Sequence, residues 1–232
     1  MAAGDRGKLV REVAEVAQLL QQESGDSATL LDELTESAVK AVPGARYAGI
    51  TVAARDGSIR TPSSTGRYPE LLDEIQQRHG QGPCFSAAWE QHTIRIDDLT
   101  VDERWPAYGH DAVAHTPVRS MLSFQLFTGR RMTGALSFYA EEANVFDDDA
   151  VEVGLIFATH TVLAWRLVRR EEQLRSALAS RDVIGQAKGM MMERFKIDAV
   201  QAFDTLRRLS QNSNTPVAAI ARRLVESGNA RM

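Results

Sequence analysis

Arg181, Gly185 and Lys188 are the residues of this chain that could do chemistry together. Their spacings of four and three put them on one face of a helix. A guanidinium and an ammonium flanking a position with no side chain suit a phosphate. The cations neutralise it, and the missing Cβ lets it approach the backbone. Gly189 follows one turn later. Each glycine destabilises a helix by roughly 1 kcal/mol relative to alanine. Two of them between Ser180 and Phe195 imply that something lies close to the backbone. Tight packing of a neighbouring helix against the glycines fits the same pattern, and the sequence leaves both readings open. Beside this stripe, Ile184, Ala187, Met191 and Phe195 form an apolar one.

Two short helices must position the stripe. Asp198 caps the first, with Ala202, Phe203, Leu206 and Leu209 inward. Arg207 and Arg208 follow the buried positions, and one of them is expected to pair with Asp204. Residues 211–214 read as a polar turn. Thr215 then caps a last helix with Pro216 at its first position. Val217, Ile220, Ala221 and Leu224 face inward, Arg222 and Arg223 face away, and Gly228 lies past the end. Arg222 and Arg223 therefore join Arg181, Gly185, Lys188 and Gly189 as candidate polyanion contacts. Residues 179–228 form a three-helix module, small for independent stability.

Charge separates this module from the rest. Residues 175–232 hold 10 Lys and Arg against 5 Asp and Glu, leaving +5. The remaining residues hold 17 against 26, leaving −9. A basic module on an acidic body is the footprint of a polyanion binder, although a basic tail could also dock on its own acidic body.

Upstream, residues 8–23 read as an amphipathic helix, and a second helix runs to about Val42. The period then changes. Tyr47–Ala53 and Ser58–Thr65 read as strands joined by Asp56-Gly57, a strong hairpin signal. Leu71, Leu72 and Ile75 mark a short helix, 84–89 another, and 93–96 a strand. A helix follows Pro106 as far as His115. Residues 119–128 and 132–140 are the two best strands. Asp147, Asp148 and Asp149 place negative charge at the start of a helix that runs to about Arg194. The pattern predicts an α+β domain over 8–165 with a mainly antiparallel sheet. A helical linker over 166–178 joins it to the all-α module. Taking His160, Leu163, Leu167, Arg170, Leu174, Ala177, Arg181 and Ile184 as heptad a and d positions leaves five of eight apolar. That seam is enough to predict a parallel homodimer.

Other chemistries are poorly supported. Cys84 is the only cysteine, which excludes an internal disulfide and leaves a redox-sensing thiol as its one functional reading. The five histidines show no metal-ligand spacing. His110 and His115 read as surface residues, with a role beside a sensor pocket as the alternative. No phosphate-cradling glycine loop or nucleophile elbow occurs, so no enzyme is expected. No uninterrupted apolar run approaches the roughly 20 residues that span a bilayer, and the first ten residues lack a signal-peptide core. The expectation is a cytoplasmic protein with no membrane partner.

Gly80-Gln81-Gly82-Pro83-Cys84, Asp97-Asp98-Leu99 with Arg104-Trp105-Pro106, and Arg119-Ser120-Met121-Leu122-Ser123 resemble a GAF domain. Gly134-Ala135-Leu136-Ser137-Phe138-Tyr139 completes that pattern. The resemblance implies a sensor fold but no particular ligand or cofactor. A small molecule or a regulatory protein are both possible occupants. Residues Leu178 to Val225 resemble an ANTAR domain through Arg181, Ile184-Gly185-Gln186-Ala187-Lys188-Gly189, Met192-Glu193-Arg194, Ala202-Phe203, Leu206-Arg207 and Ser210. That resemblance implies a transcription antitermination regulator that binds paired RNA hairpins with short loops in transcript leaders. The competing expectations are a GAF-based protein-interaction module and a helix-turn-helix DNA binder.

Overall fold

The computed structural model describes residues 27–83, 86, 93–128 and 132–229. The helix expected over 8–23, the one expected over 84–89, and Cys84 itself lie outside the described residues. The chain divides into two units, Met1–Val168 and Arg169–Met232.

The first unit is built on five antiparallel strands: β1 (Tyr47–Ala54), β2 (Ile59–Ser64), β3 (Thr93–Ile96), β4 (Ser120–Thr128) and β5 (Met132–Ala140). Their order is β2-β1-β5-β4-β3. The hairpin between β1 and β2 closes as expected. Ser58 donates its backbone N–H (3.0 Å) and hydroxyl (2.7 Å) to Asp56 Oδ1, and Gly57 takes φ +86°. Alternation along the strands divides the core between two faces. Leu122, Phe124, Leu136 and Phe138 pack under α1 (Ser27–Ala41) and the first part of a long helix. Met121, Tyr139, Ile94 and Ile96 pack under α2 (Tyr68–His79) and α3 (Pro106–His115).

The long helix, α4, spans Asp148–Phe195 without a break. Asp147 caps it by accepting from the Ala150 N–H at 2.9 Å. Phe157, Ala158, Ala164, Trp165 and Val168 belong to the sheet core, and Trp165 stacks on Phe127 with centroids 5.2 Å apart. Gly154 is needed for that packing: a Cβ there would collide with the Phe124 ring. One window of α4 reaches a mean hydropathy of 1.4, enough by length and composition to cross a membrane, and part of that apolar surface packs in the unit's own core. The leucines of the expected dimer seam remain exposed: Leu163, Leu167 and Leu174 are 47–58% accessible.

Two of the motif fragments meet across the sheet edge. Arg119 donates from Nε (3.0 Å) and from a terminal nitrogen (2.7 Å) to the two oxygens of Asp98. The bonds from Arg119, and then those from the Thr100 N–H and hydroxyl, hold the Asp98 carboxyl well below the usual carboxylate range. A depressed folded-state value stabilises the protein at any pH above the unfolded carboxylate value of about 3.9. The contribution is lost as pH falls from there through the folded value. Asp98→Asn is therefore expected to lower the melting temperature at pH 7, with the difference from wild type shrinking below about pH 4. Thermal melts across an acid series check this, and a gap that stays constant to pH 2 counts against it.

The second unit packs the C-terminal part of α4 against α5 (Ala199–Ser213) and α6 (Val217–Asn229). Ala187, Met191, Ala202, Leu206 and Ala221 are its buried core, with Ile184, Val217, Ile220 and Leu224 half-buried around them. Asp198 starts α5 with a capping box: Oδ1 accepts from Val200 N and Gln201 N, and Gln201 Oε1 accepts from Asp198 N.

Several expectations are corrected here. Phe203 and Leu209 are exposed rather than inward, and Phe195, the last residue of its apolar stripe, is exposed too. Alanines at 187, 202 and 221 let the three helices approach closely, so the core is narrow and flanking positions stay outside. The polar segment 211–214 is not a turn throughout. The α5 helix continues to Ser213, and only Asn214, at φ +48°, reverses the chain. Thr215 does not cap α6. Its hydroxyl donates to the Ser213 carbonyl, and the Pro216 carbonyl accepts the N–H of Ile220. Gly228 falls inside α6, since a single glycine does not stop a helix whose core side is already packed.

Candidate nucleic-acid interface

The C-terminal part of α4 and the flank of α5 border an open groove of about 770 Å³. Its lining includes Arg181, Asp182, Ile184, Gly185, Lys188 and Phe203. The stripe of Arg181, Gly185 and Lys188 is thus brought together on one wall. A Cβ at Gly185 or Gly189 would meet no atom within 4 Å. Among the described residues no neighbouring helix packs against either glycine, in contrast to Gly154. Close helix packing does not account for the two glycines of this unit.

The electrostatics leave the cations free. Among the described residues Arg181, Lys188, Arg222 and Arg223 form no ion pair, whereas Arg207 pairs with Asp204 at 3.2 Å and Lys196 with Glu193 at 3.6 Å. Asp182 also lines the groove, so the net charge of its walls is modest. Gly189 follows Lys188 directly but does not line the groove. Arg222 and Arg223 are exposed on α6 and do not line it. Phe203 does line it, and the apolar pattern of α5 concealed this: four apolar positions read as one face, but only Ala202 and Leu206 are enclosed. The signal available in the sequence was position: Phe203 follows Ala202 directly and so lies about 100° around the helix from it.

The first unit offers less. A shallow groove of about 260 Å³ is lined by Thr61, Glu70, Asp73 and Glu74 among others. Asp73 accepts hydrogen bonds from Thr51 (2.9 Å), Thr61 (2.8 Å) and Gln76 (3.0 Å), so this buried carboxylate ties β1, β2 and α2 together. His110 and His115 are exposed on α3, and the His115 ring contacts the Asp111 carbonyl at 2.8 Å. Exposure on that helix removes them from the wall of an enclosed pocket. Among the described residues no group of three His, Cys, Asp or Glu is placed to hold a metal ion.

The GAF domain model matches residues 24–166, more than half of the chain, and the ANTAR domain model matches residues 172–225. The chain belongs to the GAF family and carries a C-terminal ANTAR domain. This GAF–ANTAR protein shares its first fold with the GAF domain of an Acinetobacter phosphoenolpyruvate-protein phosphotransferase. That match has 16% identity and TM-score 0.54, over 73% of this chain and 97% of that one. The GAF domain of the Coxiella burnetii phosphotransferase matches at 13% identity and TM-score 0.51, over 71% and 96%. Free methionine-R-sulfoxide reductase from Neisseria meningitidis, in complex with its substrate, matches at 18% and 0.51, over 72% and 91%. These likenesses establish the fold, the five-stranded sheet with flanking helices. No curated protein matches the chain. GAF and ANTAR are regulatory domains rather than catalytic ones, although the reductase shows that an enzyme can occupy the GAF fold. The GAF–ANTAR architecture is that of a signalling domain coupled to a regulatory output domain.

Proposed function

We propose that this protein is a cytoplasmic, non-enzymatic transcription antitermination regulator. Residues 8–165 sense a signal, 166–178 transmit it, and 179–228 bind paired RNA hairpins in transcript leaders. One observation carries the reading. Arg181 and Lys188 face a groove beside an uncovered glycine, and among the described residues neither cation has an acidic partner. Unpaired cations around open backbone are what a folded polyanion needs, with stems offering phosphates and loops offering base edges. Arg222 and Arg223 extend the basic surface on α6. Gly189 lets the ligand continue along α4.

The test is filter binding of the full chain to a two-hairpin RNA, against duplex DNA and a scrambled RNA of equal length. Selective binding that weakens with salt supports the reading. Affinity for RNA no greater than for duplex DNA favours a DNA-binding protein. Absence of nucleic-acid binding favours a protein-interaction module whose basic tail docks on its own acidic body.

The exposed leucines support a homodimer through α4, the device that would place two ANTAR modules at the separation of two hairpins. Burying Leu163, Leu167 and Leu174 against a second copy removes apolar surface from water at about 25 cal/mol per Å². Leu167→Lys with Leu174→Lys is expected to shift the protein to monomer in sedimentation equilibrium. Affinity for a two-hairpin RNA should then fall by roughly 100-fold or more through lost avidity, while binding of a single hairpin is retained. Unchanged sedimentation removes the seam from the model.

A further inference from the structure

Phe203 is one of several large apolar residues that the core of the second unit leaves exposed, and it is the aromatic one that lines the groove. It follows Ala202, which is fully buried, and so points about 100° around the helix from the core. It stays 41% exposed while lining the same groove as Arg181, Ile184, Gly185 and Lys188. A phenylalanine left part-exposed forfeits stabilisation that burial would give. Its ring faces a cleft whose opposite wall carries two cations without acidic partners among the described residues. Few ligands use an aromatic face and fixed positive charge within one small groove. A nucleotide does, because its base is planar and its phosphate anionic.

We infer that Phe203 is a stacking platform for one unstacked loop base of the RNA, with Arg181 and Lys188 holding the adjoining phosphates. This rests on the RNA-binding reading and adds to it the part of the RNA that must be seated here. Bases inside a stem are stacked on one another and offer no free face, so the groove selects loop or bulge nucleotides over duplex. Gly185 makes the geometry work. With no Cβ on it and no atom within 4 Å of where one would be, it leaves the α4 backbone open on the groove that Phe203 also lines. Stacking on a phenyl ring tolerates any base. Phe203 therefore supplies affinity and loop selection, and hydrogen bonds elsewhere must supply base identity.

The probe is a short-loop RNA hairpin carrying 2-aminopurine at each loop position in turn, titrated with the full chain. Phe203→Leu keeps an apolar side chain at an exposed site and removes the aromatic face. It is expected to weaken hairpin binding roughly tenfold, with the melting temperature and the salt dependence both unchanged. One loop position should lose its fluorescence change in this variant and regain it in Phe203→Trp. Lys188→Ala should instead lower the log-log salt slope by about 0.7 and keep that fluorescence signal. If wild type binds the hairpin and Phe203→Leu matches it in affinity and signal, the stacking role is overturned while RNA binding stands. Equal affinity of wild type for a loop-free duplex of the same stem also overturns it. If wild type binds no hairpin, both proposals fall together.

Discussion

Replacing Arg181 and Lys188 together with alanine lowers the affinity for hairpin RNA by at least two orders of magnitude and leaves the fold intact. A charge-assisted contact contributes about 1.5–3 kcal/mol, so losing one weakens binding roughly 10- to 150-fold. Losing both also removes about 1.4 from the log-log salt slope, since each phosphate neutralised on a single-stranded segment contributes about 0.7. The fold survives because neither side chain belongs to the core of the second unit, and neither closes an ion pair among the described residues. Filter binding between 50 and 200 mM salt, with circular dichroism as a control on folding, measures both quantities. A variant that binds less tightly but keeps the wild-type salt slope would falsify the phosphate assignment. Such a result would mean that the two cations shape the groove without touching the backbone of the RNA.

The three glycines of α4 make the second strong prediction, because alanine should have opposite effects at them. Gly154→Ala inserts a methyl group into the Phe124 ring, which is itself fully buried and packed edge-on to Phe138 at 6.2 Å. Overpacking of this kind costs about 1–3 kcal/mol and outweighs the ~1 kcal/mol of helix propensity that alanine adds. The melting temperature should fall by several degrees. Gly185→Ala and Gly189→Ala meet open space, so only the propensity term acts and each stabilises by up to about 1 kcal/mol. The Gly185 methyl nevertheless enters the groove beside Phe203 and should weaken hairpin binding. A protein made more stable and less functional by the same methyl is the signature of a glycine kept for a ligand. Gly185→Ala that binds RNA as well as wild type, with its expected rise in melting temperature, removes Gly185 from the contact surface.

Much of the architecture was legible in the residues. Asp56-Gly57 located the β1–β2 hairpin, and Asp147 and Asp198 each started the helix expected of them. Those signals are local: a turn needs a residue that tolerates positive φ, and a helix start needs a side-chain acceptor. The Asp98 and Arg119 fragments were also visible, but not that they meet, since they lie 21 residues apart and join only once β3 and β4 pair. The helix ends near Asn214 and Pro216 shifted by a few residues because polar side chains can continue a helix whose opposite face is packed.

The amino-acid order alone determined the stripe of Arg181, Gly185 and Lys188, because helical period is a property of the chain and not of its surroundings. It also determined the asymmetry of charge and the sequence of strand and helix in the first unit. Only the tertiary structure decided which glycines of α4 are open and which is filled, since Gly154, Gly185 and Gly189 look alike until something packs against them. Only the tertiary structure turned Phe203 outward. On α5 the three-helix core takes up Ala202 and Leu206, and Phe203, one residue round from Ala202, falls on the flank that lines the groove.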